Sequence, residues 1–294
     1  MGDSIIDTFT HRTSVRELRG SRPGRLSTGE LRASLAAPAE ADGFVSSRPL
    51  IGGLRLHVRH RMISGTATPC VLLHGLAVSH RYLMPTAGLL GARSVYVPDL
   101  AGFGLSDKPG TILDVRGHAD LVAALLDTLG AAPVALLGNS FGCQVAVDVA
   151  LRRPDLVAAL ILVGPTTDPA AATARGQLGR LLRDLLHEDP RQAPILAADI
   201  RDAGPRRILQ TLRYAVNDHI DAKLPALRVP TLLIRGSLDR IAPQSWLDRA
   251  AALTPGARTL TVEGAAHNVV TTAGPETAAA ITTFIDSDVE ASIS

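Results

Sequence analysis

The sequence contains little of several residue types, and each shortage excludes a class of protein. Only two of its 294 residues are cysteines, Cys70 and Cys143, so a disulfide framework is excluded and a cytoplasmic location is expected. No apolar run approaches the roughly 20 residues that a membrane-spanning helix requires. The first residues show neither the apolar core nor the cleavage pattern of a secretory signal. We therefore expect no membrane span.

Charge of one sign is also lacking. The 30 basic and 28 acidic residues give a net charge of +2, which does not favour nucleic acid as a partner. The run Gly102–Gly104 follows a predicted strand but opens no helix, so dinucleotide binding is not supported. His57 and His60 flank a predicted edge strand at residues 55–59 and have no carboxylate or thiolate near them in sequence. We predict neither a metal nor a cofactor.

The chain divides into three kinds of segment. Residues 1–47 carry several arginines and few large apolar residues, and we interpret them as a partly flexible arm with one short helix at 28–37. An arm that covers substrate or forms a homodimer is the functional alternative. A regular core occupies residues 48–167 and 225–294. Residues 168–224 contain helical stretches punctuated by proline, and we interpret them as a helical lid inserted into the core.

Within the core, short apolar runs alternate with amphipathic helical patterns. This alternation predicts an α/β protein with a mostly parallel central sheet flanked by helices. The predicted strands span residues 69–73, 94–97, 134–137, 159–163, 230–234 and 259–262. The predicted helices span residues 79–90, 114–129, 141–152, 178–187, 206–216, 244–253 and 276–285.

The strongest chemical signal is the run Gly138–Gly142, a G-x-S-x-G motif centred on Ser140. A buried strand is predicted before it and a helix after it, which is the setting of a nucleophile elbow. The glycines are needed because side chains at their positions would collide with the neighbouring strand and helix. We therefore predict that Ser140 is a nucleophile.

A second signal is the sequence His74-Gly75-Leu76, directly after a predicted strand. A tetrahedral oxyanion needs two fixed donors, and we assign them to the backbone N–H groups of Leu76 and Phe141. Gly75 allows the loop a close approach. We expect His74 to hold this loop rather than to act as the base.

Two further loops supply an acid and a base. Asp239 and His267 each follow a late predicted strand, and the order Ser140, Asp239, His267 is that of a nucleophile, an acid and a base. A serine hydroxyl needs a histidine to take its proton and a carboxylate to orient that histidine. Asp168 is the alternative acid.

Together these motifs resemble the α/β-hydrolase fold superfamily, in its lid-bearing single-domain branch, over residues 48–286. The run Pro98–Ser106 adds to the resemblance. Relatives that open epoxides or remove halides carry aspartate at the elbow, so Ser140 implies acyl chemistry. The resemblance implies a small-molecule substrate and a serine hydrolase that works through an acyl-enzyme.

The bond that is cleaved stays open. A carboxylic ester, thioester or lactone of a small-to-medium hydrophobic substrate is the first hypothesis. The pair Asn139-Ser140 is similar to carbon–carbon hydrolases acting on diketones, in which a lid arginine binds the substrate carboxylate. Amide hydrolysis, acyl transfer, perhydrolysis and a non-catalytic small-molecule receptor are the other readings.

For the substrate pocket, the sequence predicts the residues at its border. We predict substrate contacts at His74, Gly75, Phe103 and Asn139. Because aromatic residues make up 3% of the chain, the lid should line the pocket with aliphatic side chains. The available residues are Leu178, Leu181, Leu182, Leu185, Ile195, Leu196, Ile208, Leu209 and Leu212.

Overall fold

A computed structural model describes residues 43–65, 67–184 and 187–292. Most of the predicted arm, including the helix expected at 28–37, lies outside the described residues. Among the described residues, the strands are β1 (Val45–Ser47), β2 (Leu50–Ile51), β3 (Leu54–Arg55), β4 (Val58–Arg61), β5 (Cys70–Leu73), β6 (Val95–Pro98), β7 (Val134–Asn139), β8 (Val157–Val163), β9 (Thr231–Gly236) and β10 (Arg258–Val262).

Eight of these strands form one sheet, in the order β1-β4-β6-β5-β7-β8-β9-β10. The pairings from β6 to β10 are parallel, whereas β1 with β4 and β4 with β6 are antiparallel. The predicted mostly parallel α/β sheet is confirmed. The prediction of an edge strand at residues 55–59 is wrong, because β4 pairs with β1 on one side and therefore does not lie at the edge of the sheet. Strand β1 itself lies in the last residues of the segment assigned to the arm.

The helices follow the predicted alternation. They are α1 (Met84–Ala87), α2 (Val115–Leu129), α3 (Phe141–Arg152), α4 (Ala174–Asp184), α5 (Ala193–Ala203), α6 (Pro205–Asn217), α7 (Ile220–Lys223), α8 (Gln244–Leu253), α9 (Val269–Thr272) and α10 (Gly274–Asp288). The single helix expected at 79–90 is instead a 3-10 turn at His80–Leu83 followed by α1. Pro85 fits there because it lies in the first turn of α1, where its missing N–H costs no helical hydrogen bond.

The sheet is buried on both faces, since alternate side chains of each strand enter different cores. In β5, Val71 and Leu73 pack in the core that contains α2, α3 and α8, whereas Cys70 and Leu72 pack in the core that contains α1 and α10. This double cover explains the continuous apolar runs of the strand sequences. It also fixes the carboxyl ends of β5, β7, β8, β9 and β10 along one edge.

Between β8 and β9 the described residues form only helices and turns. Helices α4 to α7 lie in this interval, which we call the insertion (residues 168–224). No helix among the described residues is both long enough and apolar enough to cross a membrane.

Candidate active site

Ser140 lies at a sharp turn between β7 and α3, with φ 53° and ψ −118°. A positive φ is unfavourable for a residue with a Cβ atom, so the turn is held by its surroundings. A Cβ atom on Gly138 would lie 2.3 Å from the Gly142 oxygen, and one on Gly142 would lie 2.5 Å from the Leu73 oxygen. Only glycine fits at both positions, which is the steric reason for the motif. The Ser140 side chain stays partly exposed at the end of the sheet.

His267 and Asp239 form a buried pair. The His267 Nδ1 atom lies 2.9 Å from Asp239 Oδ2, and the side chains are 7% and 0% exposed. Asp239 Oδ1 also accepts from the backbone N–H groups of Ile241 and Ala242, both at 2.8 Å. These three contacts fix the carboxylate and turn the imidazole so that Nδ1 faces the acid.

The charge of this pair changes the acidity of the imidazole. Burial alone would lower the pKa of His267, but the Asp239 carboxylate outweighs burial, with added help from Asp184 and Glu188, and raises the pKa to about 9. The Nε2 atom of His267 is buried and has no hydrogen-bond partner among the described residues. An unpartnered buried nitrogen is costly in a resting protein, and it is the atom that a general base uses.

Val163 and Gly164 bring the serine loop and the His267–Asp239 pair to one place. The Ser140 N–H donates to the Val163 oxygen at 2.9 Å. A Cβ atom on Gly164, the residue after Val163, would lie 2.8 Å from His267 Cε1 and 3.3 Å from Asp239 Oδ2. Gly164 also has φ +55°. Sequence reasoning missed Gly164, although a glycine directly after a buried strand was the available signal.

The alternative acid has a different partner. Asp168 Oδ2 lies 2.6 Å from Arg180 Nη1, and its Oδ1 accepts from the Ala170 N–H at 2.9 Å. The Asp168 carboxylate is therefore paired with an arginine of α4, whereas the Asp239 carboxylate contacts the imidazole of His267.

The loop after β5, residues 74–79, approaches the serine. A Cβ atom on Gly75 would lie 3.1 Å from the Ser140 Cβ atom, so the glycine permits the close approach. His74 Nδ1 lies 2.7 Å from the Gly75 oxygen, and Nε2 accepts from the Leu100 N–H at 2.9 Å. Both ring nitrogens of His74 thus hold the loop. Leu76 is partly exposed beside it.

Three of the residues predicted to contact substrate are buried behind these loops. His74, Phe103 and Asn139 are at most 1% exposed. Phe103 packs edge-on against the His74 ring, and Asn139 Nδ2 donates to the Val163 oxygen at 3.2 Å. Phe141, the predicted second oxyanion donor, is buried as well. Contact of these residues with substrate stays a prediction.

The apolar residues expected to line the pocket fall into two groups. Leu178, Leu181 and Leu209 are exposed by 43% to 51%. The half-buried members are Ile195, Leu196, Ile208 and Leu212. Leu185 and the side chain of Leu182 lie outside the described part of the chain.

A second histidine–carboxylate cluster corrects the sequence analysis. His57 does have a carboxylate beside it, because its Nδ1 atom lies 2.9 Å from Asp99 Oδ2. His80 Nδ1 lies 3.0 Å from both oxygens of the same carboxylate. Sequence spacing could not show this, since the three residues come from β4, the 3-10 turn before α1 and the loop after β6.

We tested whether this cluster fits a metal ion. The ligand atoms of His57, His80 and Asp99 lie within 4.8 Å of one another, and all three residues are buried. However, the Asp99 carboxylate also accepts from the N–H groups of His80 at 2.6 Å and Leu105 at 2.9 Å. With two imidazoles and two amides, its roughly four lone-pair sites are taken. The donor set fits a closed hydrogen-bond network, not a metal site.

Comparisons with known proteins show the family and the fold of the chain. The model of the alpha/beta hydrolase family matches residues 70–280. A 2-(acetamidomethylene)succinate hydrolase of Mesorhizobium japonicum is 29% identical over 279 residues, which cover 86% of this chain and 99% of that protein. A 2-hydroxymuconate semialdehyde hydrolase of Pseudomonas sp. strain CF600 is 30% identical over 64% of this chain and 78% of its own.

A solved structure shows the same fold. A thermophilic esterase from Thermogutta terrifontis superposes with a TM-score of 0.70 at 22% identity, over 83% of this chain and 99% of the esterase. The likeness extends across nearly the whole esterase, so the sheet and its surrounding helices are shared. The sequence-based resemblance is thereby confirmed at the level of family and fold.

Proposed function

The chain belongs to the alpha/beta hydrolase family, and from that premise we propose that it is a serine hydrolase of carboxylic esters, thioesters or lactones. Ser140 is the proposed nucleophile, His267 the base and Asp239 the acid. The substrate is a small-to-medium hydrophobic molecule bound at the carboxyl ends of the strands. The insertion is the proposed lid above it.

The proposal is supported mainly by the contacts of the two ring nitrogens of His267. The Nε2 atom of the imidazole is buried and unpartnered, while Nδ1 is held by Asp239 at 2.9 Å. The strained Ser140 is linked through Val163 and Gly164 to that same imidazole. A base with a free nitrogen beside a serine at a strained turn supports nucleophilic catalysis better than simple binding.

The proposed cycle uses only groups of this chain and water. Ser140 Oγ attacks the substrate carbonyl carbon while His267 Nε2 takes the hydroxyl proton. The backbone N–H groups of Leu76 and Phe141 stabilise the oxyanion. His267 then gives the proton to the leaving oxygen or sulfur, and the carbon–heteroatom bond breaks. Water, deprotonated by His267, releases the acid and restores Ser140.

A panel of p-nitrophenyl esters with increasing acyl length tests the proposal. Turnover by the parent that falls at least about 10³-fold in Ser140→Ala supports serine acyl chemistry. The chain length with the highest kcat/KM measures the pocket. Ser106→Ala is the matched control, because this buried serine donates to the backbone oxygen of Asp99 in the loop after β6. Equal turnover by parent and Ser140→Ala would contradict the proposal.

Carbon–carbon hydrolysis is the second candidate, and Arg207 favours it. Its guanidinium borders the Gly102–Phe103 loop, with Nη1 2.6 Å from a Cβ atom placed on Gly102. Arg207 donates to the Pro109 oxygen at 2.9 Å and forms no ion pair with any described residue. Arg180, Arg191 and Arg201 of the same insertion do pair with carboxylates. A substrate carboxylate would supply the missing partner.

The two candidates are separated by substrate and by Arg207→Gln. If the protein cleaves a carboxylated diketone, this variant should raise KM about tenfold or more, because it removes a charge-assisted contact. The same variant should leave the KM for neutral esters nearly unchanged. Ester turnover with no diketone cleavage would reject this second candidate.

A further inference from the structure

The insertion places an acidic side chain against each of three loops of the proposed site. We name these the acid loop (residues 237–243), the base loop (residues 263–268) and the oxyanion loop (residues 74–79). In each case the carboxylate accepts hydrogen bonds from a group next to a proposed catalytic element. The insertion therefore touches the site at three separate points.

The acid loop is held by α4. Asp184, the last residue of α4, accepts from the Arg240 N–H at 3.0 Å, and Arg240 directly follows Asp239. One turn earlier, Arg180 donates to the Ile241 oxygen at 2.9 Å. Asp184 is buried, with 1% exposure, so its carboxylate depends on protein donors.

The base loop is held by Glu188. Its Oε1 atom accepts from the Asn268 N–H at 2.8 Å, and Asn268 directly follows His267. Gln192 closes a small ring, because its Nε2 donates to Glu188 Oε2 at 3.3 Å and its Oε1 accepts from Asn268 Nδ2 at 3.0 Å. Tyr82 also donates to the Asn268 side-chain oxygen. The residue after the base is thus fixed through both its backbone and its side chain.

The oxyanion loop is held by α5. Asp199 Oδ2 accepts from Ser79 Oγ at 2.8 Å, and Asp199 Oδ1 lies 3.0 Å from Arg81 Nη1. Ser79 ends the oxyanion loop. Asp199 is 2% exposed, so this contact too is made inside the protein.

If the insertion only excluded water from the site, it would not need a carboxylate at each of these three loops. Apolar packing would suffice, and surface ion pairs contribute little. Here the acceptors meet the two backbone N–H groups that directly follow the proposed acid and base. Asp184 and Glu188 also act on the imidazole, since their charge helps to raise the pKa of His267. Burial and the neighbouring Asp184 raise the pKa of Glu188 to about 8.

We propose that Asp184, Glu188 and Asp199 are positioning residues that hold the acid, base and oxyanion loops in their reactive arrangement. Seating of the insertion and assembly of the catalytic site are then one event. This inference rests on the proposed function, because it assigns the three loops to catalysis.

Paired variants test the inference. Asp184→Ala and Glu188→Ala remove the acceptors, whereas Asp184→Asn and Glu188→Gln keep an oxygen in place. A displacement of catalytic groups by about 1 Å can cost roughly 100-fold, so we expect the alanine variants to lose about 10- to 100-fold in kcat with little change in KM. The amide variants should recover most of kcat. Asp202→Ala, an exposed acidic residue of the same insertion, is the matched control and should match the parent.

The pH profile adds a readout that a merely structural role would not move. Glu188 carries its negative charge above its own pKa of about 8, and Glu188→Gln removes that charge. The rise in kcat/KM that follows deprotonation of His267, whose pKa is about 9, should therefore shift to lower pH. Equal losses of kcat in the alanine and amide variants, with an unshifted profile, would overturn the positioning role.

Amide hydrogen exchange separates this inference from the proposed function. In Asp184→Ala the Arg240 N–H should exchange faster, and in Glu188→Ala the Asn268 N–H should exchange faster, with no substrate present. If the parent turns over nothing, the proposed function fails while these exchange rates still test the contacts. If Asp184→Ala does not fold, the half-buried Glu188→Ala and the Asn268 exchange rate decide. Unchanged exchange at both amides would overturn the inference.

Discussion

Two buried carboxylate–histidine clusters among the described residues, one around Asp239 and one around Asp99, differ at the second ring nitrogen of the histidine. Asp239 holds His267 at 2.9 Å, and Asp99 holds His57 at the same distance. In the Asp99 cluster the second nitrogen of His57 lies 3.0 Å from Ser46 Oγ, so the ring is satisfied on both sides. In the Asp239 cluster the second nitrogen of His267 has no partner among the described residues.

The difference teaches that an Asp–His pair is not by itself a sign of catalysis. A satisfied imidazole stabilises the structure, because breaking its contacts would leave buried polar groups unpaired. A buried imidazole with an unpartnered nitrogen, as in His267, fits the proton transfer that we propose. The Asp99 cluster connects β4 to the loop after β6, and the Asp239 cluster belongs to the proposed catalytic site.

The largest expected effect comes from replacing the proposed acid, Asp239. Asp239→Asn should lower kcat by about 10⁴-fold, because an amide no longer fixes the imidazole tautomer or stabilises the imidazolium. Steady-state rates on the best ester measure this loss. Asp99→Asn is the matched control and should keep kcat per folded molecule within about tenfold. Similar losses in the two variants would show that the clusters do not differ in role.

The next effect concerns stability at the other cluster. Asp99→Asn should lower the free energy of unfolding by about 3 kcal/mol, because a neutral amide replaces the buried carboxylate that contacts two imidazoles and two backbone N–H groups. Urea denaturation followed by circular dichroism measures the change. A loss below about 1 kcal/mol would mean that the Asp99 network is not a major source of stability.

The pH dependence should run in opposite directions at the two clusters. Burial would raise the pKa of Asp99, but His80 and His57 hold it well below 3.8. The stability from Asp99 is therefore present above its unfolded pKa and is lost only in strong acid. The pKa of His267 is raised from 6.5 to about 9, so its stabilisation is present below pH 6.5 and is lost as pH rises through about 9.

Activity should rise where that stability is lost, since the base must be neutral. We expect kcat/KM to increase between about pH 6.5 and pH 9 while the free energy of unfolding falls over the same range. Rates and denaturation curves measured in one buffer series check both trends. A flat kcat/KM across this range would contradict the assignment of His267 as base.

The smallest effect is expected from a substitution that leaves the second ring nitrogen of His57 without a partner, so that the Asp99 cluster resembles the Asp239 cluster. Ser46→Ala removes the partner of His57 Nε2 and should cost about 1 kcal/mol of stability. Ester turnover should be unchanged, because no nucleophile accompanies that ring. Any loss of turnover comparable with Asp239→Asn would show that His57 takes part in the reaction.

Local rules predicted much of the core from sequence. Helices α3 and α8 have the bounds that were predicted, because each starts at a local turn signal, the G-x-S-x-G motif for α3 and Pro243 for α8. The six strands predicted from residue 69 onward agree to within two residues at each end, whereas the strand expected at residues 55–59 is β4, Val58–Arg61. The glycines of the Ser140 turn could also be predicted, since a close backbone approach excludes any side chain there.

Local rules failed where distant segments meet. His57 was judged to lack a carboxylate, yet Asp99 lies beside it across 42 positions of sequence. The strand expected at the edge was interior, because β1 from the assigned arm pairs with β4. The helix expected at residues 79–90 is a 3-10 turn followed by the short helix α1, which packs in the same core as α10.

The sequence by itself determined the motifs that resemble the family, the order of Ser140, Asp239 and His267, and the sheet that carries them. The glycines of the Ser140 turn and the sheet depend on residue size, backbone freedom and apolar periodicity, which act locally. Only the tertiary structure decided that His267 Nε2 has no partner among the described residues, and which carboxylates of the insertion reach Arg240 and Asn268. Contacts across 56 and 80 positions depend on how whole elements pack, and packing is a property of the complete fold.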